Sequence, residues 1–444
     1  MKVFGDRFAL AKLFRQISSS PACHLASVVI DESSPISGGE TGGVGLKRTR
    51  AVPPAWLLGF GFWTLGAFGA LQLLTVPQLL AADRVPEPRI AAVTAISLLP
   101  GFGAFVFAPI LDWRFSRRAY AIGFALLAAL CMAAALASVH DLRLLTVLLF
   151  VGNTAIGLCI SAVGGWFGGI TRKEDESALG AWFTVANIGA GGLVGAVGID
   201  LLRGLPSPLG AGAAGLTVIA VLPLYLWVPC PPADDRLAHE SFRAFARDVG
   251  ALLRRPAVLW TLPLFLAPAA SFALTNIMGG VGRDFHVSES LVGLISGVGV
   301  TLAGVFGSLI IPVLGRGVAP RPLYLLVGGA GALFSAALVL APHIPTTFAL
   351  AVIGENIFQA ASFSVGNLII LRTIGQNNPL AATQFGVLNA AVSLPLSYMQ
   401  WADGQGYGAG GIAGAYLADA LISGGACAVL ALILVLARRR IPAL

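Results

Sequence analysis

The stretch GFGAFVFAPILDWRFSRRAY, residues 101–120, stays apolar as far as Leu111, then places Asp112, Arg114, Arg117 and Arg118 almost side by side. Such a switch marks a chain leaving one solvent for another, and composition says which. Of 444 residues, 57% are hydrophobic and 11% charged, with a mean hydropathy of +0.84. An ordinary soluble domain carries about 25% charged residues. A fold in water could not cover this much apolar surface, so lipid is the solvent. The 55 glycines agree, because glycine is commoner in membrane helices than in soluble ones.

A spanning helix needs about 20 mostly apolar residues. That criterion predicts twelve spans, near 54–80, 90–111, 119–139, 142–164, 178–201, 210–229, 257–280, 288–314, 322–341, 346–371, 379–400 and 412–437. The runs are continuous rather than alternating, which excludes a barrel of strands. With the N-terminus inside, every Lys and Arg except Arg84, Arg89, Arg143, Arg203 and Arg283 falls on the cytoplasmic side. The asymmetry obeys the positive-inside rule, and an even number of spans with both termini cytoplasmic fits it. The net charge of +7, which in a soluble chain would suggest nucleic acid, is accounted for by these loops, and no nucleic-acid partner is expected.

The organisation expected is a polar tail over 1–50, a six-helix bundle over 51–229, a cytoplasmic linker over 230–256 and a second six-helix bundle over 257–444. The tail contains FALAKLFRQIS, suited to a short basic amphipathic helix, and is expected to be dispensable for insertion. In the linker, Phe242, Phe245, Val249 and Leu252 fall on one side of a helix, as expected of a segment lying at the membrane surface. The five cysteines, Cys23, Cys131, Cys159, Cys230 and Cys427, lie far apart with neither metal-ligand nor disulfide spacing, and read as core-filling residues.

The halves repeat one another. Moved 203 residues on, the opening stretch meets GVFGSLIIPVLGRGVAPRPLY (304–324): Gly101, Pro109 and Leu111 fall on Gly304, Pro312 and Leu314, and Asn153 falls on Asn356. A shift of 202 lays FTVAN, with Phe183, Val185 and Asn187, onto FGVLN, with Phe385, Val387 and Asn389. These matches keep their order at nearly one offset. Two parallel six-helix halves with a polar linker resemble a major facilitator transporter. In that family the first of the paired hairpins carries a G-x-x-x-D-x-x-x-R-[RK] motif. Asp112 with Arg117 and Arg118 is similar to it, although Ala108 stands at the glycine position and one further residue precedes the arginines. The resemblance implies a conformational latch, in which the carboxylate holds a helix end or an arginine in one state and releases it in the other. The plain alternative is topology-setting arginines beside an incidental acid. The second hairpin has Gly315 where the acid would be.

Two stretches narrow the resemblance. FAPILDWRFSRR is similar to the form found in AmpG-type muropeptide permeases and related acetyl-CoA transporters. GENIFQAASFSVGNLIILRTIGQNNPLAATQFGVLNAAVSLP resembles their helix ten to eleven signature through Glu355–Asn356, Phe363, Thr383–Gln384–Phe385 and Leu388. Helix four departs, since the permeases carry a Gln-Asp pair where GNTAIGLCISAVGG has no acid. Siderophore permeases of the same broad group are therefore a second substrate reading.

Polar groups inside a membrane are costly and mark functional sites. Gln72, Asn153, Asn187, Asn276, Asn356, Gln359, Gln384 and Asn389 are the candidate substrate-binding residues; the competing reading for any single amide is helix–helix bonding worth about 0.6 kcal/mol. Asp200 and Asp419, nearer helix ends, rank below them. Glu355 is the candidate for proton coupling. It lies roughly 14 Å into helix ten at 1.5 Å per residue, near the middle of a hydrocarbon core about 30 Å thick, and burial there disfavours its charged form. Gln359 and Ser362 follow at i+4 and i+7 and are expected to bond it. A permanently protonated structural Glu355 is the alternative.

No P-loop, G-x-S-x-G or H-E-x-x-H is present, and no enzyme activity, cofactor or metal is expected. The sequence thus points to an all-α membrane protein that carries a small polar organic solute by alternating access. Import coupled to protons, by a monomer in the bilayer of a bacterial inner membrane, is the reading. A non-transporting scaffold or a channel is the alternative class.

Overall fold

The computed structural model describes residues 52–231, 242–278, 281–376 and 378–440, which form helices and turns with no strand among them. The tail over 1–50 and part of the linker lie outside the described residues. Among the described residues eight helices are long and apolar enough to cross a bilayer. They are α1 (Ala55–Ala82), α3 (Arg117–Ala137), α4 (Leu142–Ile170), α5 (Glu176–Gly204), α8 (Glu289–Leu314), α9 (Pro320–Leu338), α10 (Pro345–Ile374) and a run Ala381–Arg440. That last run breaks at Gly410 and Gly411, dividing it into α11 and α12. Gly411 has φ 61°, a left-handed conformation that glycine adopts without a Cβ penalty.

The remaining expected spans differ from continuous helices, and proline and glycine give the reason. Near 90–111, α2 (Glu87–Leu98) gives way to Pro100–Gly103 and then to tight 3-10 turns over Ala104–Val106 and Ala108–Asp112. Near 210–229, α6 is split into Ser207–Val218 and Leu222–Trp227. Near 257–280, α7 (Pro256–Leu266) stops short of Pro268 and resumes only as Thr275–Met278, with Phe272 at φ 49° between them. Proline lacks the N–H that a helix interior needs, and in lipid the freed carbonyls must find partners inside the protein.

Helix starts follow local chemistry. Ser116 caps α3 by accepting the Ala119 N–H at 3.3 Å, and Asp141 caps α4 by accepting from Arg143 and Leu144 at 3.0 and 3.1 Å. Pro320 and Pro345 open α9 and α10, where the missing N–H costs nothing. The linker helix Phe242–Leu253 lays Val249 and Leu252 against Trp113 and Leu380.

Helices α1 to α6 pack chiefly on one another, as do α7 to α12, while α5 crosses to α8 and α10, and α4 to α11. Glycine lets these backbones meet. A Cβ at Gly66 on α1 would sit 1.9 Å from the Asn187 carbonyl oxygen on α5, and one at Gly307 on α8 would sit 2.2 Å from that of Ile357 on α10. Small residues at helix interfaces are how membrane helices gain packing energy without a hydrophobic drive. Gly69, three residues from Gly66, meets nothing within 4 Å. We therefore expect Gly66→Ala to destabilise the purified protein by about 3 kcal/mol, the upper part of the overpacking range, and Gly69→Ala to be neutral. Thermal unfolding in detergent measures both, and equal stabilities would refute the close-packing account.

Candidate functional site

Three polar centres lie within this framework. The first joins the two sets of helices. Asp112 ends the 3-10 turn that closes the broken α2, and both of its oxygens reach the start of α11. Oδ1 accepts from the Ala382 N–H at 3.3 Å, and Oδ2 accepts from the Thr383 N–H at 2.8 Å and the Thr383 hydroxyl at 2.7 Å. A carboxylate at a helix N-terminus satisfies free N–H groups and meets the positive end of the helix dipole. Arg117 completes the arrangement, donating to Asp112 Oδ1 at 2.8 Å and to the carbonyls of Asn378 and Pro379 at 2.9 Å each. Arg118 turns away and donates to the Leu226 carbonyl at the end of α6.

Further bonds between the two sets lie at the same end of the bundles. Arg372 pairs with Glu176 at 3.6 Å, Gln376 donates to the Thr171 carbonyl at 3.2 Å, and Asn367 donates to Thr184 Oγ1 at 3.3 Å. Gly164 and Gly165 on α4 receive Phe385 and the Ala382 backbone so closely that no Cβ fits. The molecule is closed at the end bearing the loops around 113–116, 171–175 and 375–380. Gln384 belongs to this end too: it accepts from Asn378 Nδ2 at 2.7 Å and donates to the Thr373 carbonyl at 3.0 Å. It thus braces the hairpin between α10 and α11.

The second centre joins α1, α2 and α4. Gln72 sits where α1 widens into a π turn, Leu71–Thr75, and donates to Ser97 Oγ at 2.8 Å. Asn153 donates to Gln72 Oε1 at 3.3 Å and to the Ser97 carbonyl at 2.9 Å. Its repeat partner Asn356 is buried and donates to the Val352 carbonyl of its own helix at 2.8 Å. The two asparagines, expected to face one cavity, therefore make no bond to each other.

The third centre lies among α7, α9, α10, α11 and α12. Gln359 donates to the Phe272 carbonyl at 3.1 Å and to Thr275 Oγ1 at 2.7 Å, satisfying the break in α7. Asn276, exposed, donates to Gln400 Oε1 at 3.2 Å. Glu355 points elsewhere: its Oε1 is 2.8 Å from the Ser335 hydroxyl on α9, which is also 2.9 Å from Asp419 Oδ2 on α12. Glu355, Asp403 and Asp419 are 0%, 0% and 2% exposed. The expectation that Gln359 and Ser362 would bond Glu355 is thus corrected: Gln359 serves α7, and Ser362 donates to the Gln359 carbonyl. Asp419, ranked low as a helix-end residue, is a full member of the buried group. Asn187 and Asn389 are half-buried and take no part in any of the three centres.

The model of the Major Facilitator Superfamily matches residues 58–399. The chain belongs to this superfamily. No curated protein sequence matches it. Among solved structures it is similar to FucP, the E. coli fucose:proton symporter, in the outward conformation (TM-score 0.64, 16% identity, 85% of this chain and 97% of that one). It is also similar to the human organic anion transporter MFSD10 (0.61, 16%, 85% and 98%) and to the proton:xylose symporter XylE (0.61, 14%, 85% and 93%). At these identities the likeness is one of fold. The protein is a multi-pass integral membrane transporter rather than an enzyme.

For a major facilitator protein closed at one end, Asp112 becomes testable by geometry. Asp112→Asn removes the ion pair with Arg117 and replaces one of the accepting oxygens by a donor. We expect spin labels at the exposed positions Lys173 and Arg316, one on each side of the closed end, to gain a longer-distance population in Asp112→Asn. An unchanged distance distribution would show that closure does not depend on this carboxylate.

Proposed function

We propose that this protein is a secondary active transporter working by alternating access, with Asp112, Arg117 and Arg118 as its conformational latch. In this reading the halves are 51–229 and 257–444, with twelve crossings in all and both termini cytoplasmic. The closed end is then the cytoplasmic one, and the state described is outward-facing. The observation that carries the reading is the reversible chemistry of that closure: two carboxylate–arginine pairs and a few amides bridge it, groups that water can solvate once they part.

The solute enters from the open side and meets amides rather than cations, since among the described residues no Lys or Arg lies in the interior of a spanning helix. Gln72, Asn153, Asn276 and Gln359 are the residues that would bind it. Such a lining favours a solute rich in hydroxyls and amides, as the sugar-peptide body of a muropeptide is, over a compact polyanion. Asn356, Asn187 and Asn389 remain candidates whose contribution rests on their position in the repeat.

Proton coupling is assigned to Glu355, a carboxyl wholly out of water with no cation beside it among the described residues. A charge there would be costly, so the site has reason to cycle between protonated and transiently exposed states. The protein would act in a bacterial inner membrane as an importer, with protons as the coupled ion.

Uptake into proteoliposomes tests the reading, with muropeptides, siderophores and nucleotide thioesters as probes. Saturable, counterflow-competent flux of one class is expected; unsaturable flux would indicate a channel, and none a scaffold. With a transported probe in hand, Glu355→Gln should abolish accumulation driven by a pH gradient and retain exchange. Gradient-driven uptake equal to the parent's would place the proton elsewhere.

A further inference from the structure

The buried acids of the third centre carry more than one carboxyl's worth of information. The Ser335 hydroxyl lies 2.8 Å from Glu355 Oε1 and 2.9 Å from Asp419 Oδ2. A hydroxyl has one hydrogen, so it donates to only one of these oxygens. The other contact is a hydrogen bond only if that carboxyl itself carries a proton and donates it to Ser335 Oγ. The remaining contacts decide which. Asp419 Oδ1 accepts from Ser423 Oγ at 3.4 Å, whereas Glu355 Oε2 is buried with no partner among the described residues. An ionised oxygen without a partner costs more than a neutral carbonyl oxygen. The proton therefore sits on Glu355, and the charge on Asp419, whose oxygens both have hydrogen-bond partners.

Among the described residues no cation faces the group. From α12 the titratable groups facing Glu355 are Asp419 and Tyr416, and from α11 Asp403, both of whose carboxyl oxygens are buried without a partner among the described residues. The Tyr416 hydroxyl is already used, on Met278 Sδ at 3.6 Å. Between Ser290 and Leu314 on α8, and between Pro322 and Leu338 on α9, there is no charged residue. The charged pair between α5 and α10, Glu176 with Arg372, lies well over four turns from Glu355.

We propose that Glu355 and Asp419 share one proton through the Ser335 hydroxyl, so that the pair, rather than Glu355 alone, loads and unloads it. This deepens, and for its role in coupling rests on, the proton-coupled reading above. The transfer is balanced. The O–H bond on Glu355 Oε1 breaks as one forms on Ser335 Oγ, and the original Ser335 O–H bond breaks as one forms on Asp419 Oδ2. Ser335 ends as a hydroxyl and the negative charge passes from Asp419 to Glu355. The pair joins α10 to α12 through Ser335 of α9. The proton site is thus set within the C-terminal helices, apart from the amides of α1, α2 and α4.

Infrared difference titration of the purified full chain tests this with protons as the only ligand. Spectra of the parent are taken against those of the Glu355→Gln/Asp419→Asn double variant, to isolate the two carboxyl C=O bands. The parent should lose its two protons in steps more than about one pH unit apart, as coupled sites do. Glu355→Gln and Asp419→Asn should each leave a single step at a pH matching neither parent step. If the remaining carboxyl titrates at one of the parent's own values, the groups are independent and the proposal fails. Ser335→Ala removes only a hydroxyl and covers the case in which a carboxyl variant does not fold: both steps should move, and an unchanged titration overturns the relay. Transport is read separately in vesicles. Shared titration with uptake indifferent to a pH gradient would sink the coupling and leave the pair standing; independent titration with gradient-driven uptake would do the reverse.

Discussion

At the closed end of this molecule one carboxylate, Asp112, is set against the first turn of α11. Its two oxygens take two backbone N–H groups and the Thr383 hydroxyl, while Arg117 draws the carbonyls of Asn378 and Pro379 to the same point. The free N–H groups at the start of a helix need partners wherever water is excluded. Here the partner comes from the other half of the chain. The consequence is directional: α11 can stay capped only while the broken end of α2 lies against it. Separation exposes both the acid and the helix end to water, where solvation of each offsets much of the loss. An apolar contact of equal area would be far harder to reopen. The linker helix adds to the same junction, because Val249 and Leu252 cover Trp113 from one half and Leu380 from the other.

Helix α10 ties this junction to the buried acids. It runs unbroken from Pro345 to Ile374, with Glu355 in its first half and Asn367 and Arg372, which hold α5, in its second. Helices α1, α2, α6, α7 and α8 all contain a break, a 3-10 turn or a π turn. An intact helix transmits a tilt or rotation along its length, whereas a broken one absorbs it. In the proposed coupling, a change in charge at Glu355 and Asp419 would reach the place where α10 grips α5 along this unbroken helix.

Much of this was legible in the sequence. The apolar runs gave the class, the order of matched residues at one offset gave the doubled plan, and the position of Asp112 before paired arginines gave the junction between halves. The local geometry of single amides was not legible. Asn153 and Asn356 are equivalent by repeat, yet one bonds across to α1 and α2 and the other bonds back to its own helix. An asparagine side chain has both options wherever it sits, and the neighbouring helix decides between them. Gln384 carried a family-like motif but serves the hairpin beside it. Asp403 falls between the spans expected over 379–400 and 412–437, in a stretch with glycines at 404, 406 and 408. In the structure the helix continues through them, with Gly406 admitting the Gly414 backbone.

The acids also explain why that glycine-rich segment takes the form it does. Asp403 and Asp419 lie on opposite sides of the Gly410–Gly411 break, and both are buried. Bringing two carboxyls from consecutive helices into one dry pocket needs the helices to approach closely. At Gly406 and Gly414 a Cβ on either would lie 2.6 and 2.2 Å from the other's carbonyl oxygen, so only hydrogen fits. The glycines set the distance between α11 and α12, and that distance sets how strongly the carboxyls repel when ionised. Larger residues there would push the helices apart and admit water. The pocket would then lose the dry environment that makes holding a charge, and hence releasing a proton, dependent on the state of the surrounding helices.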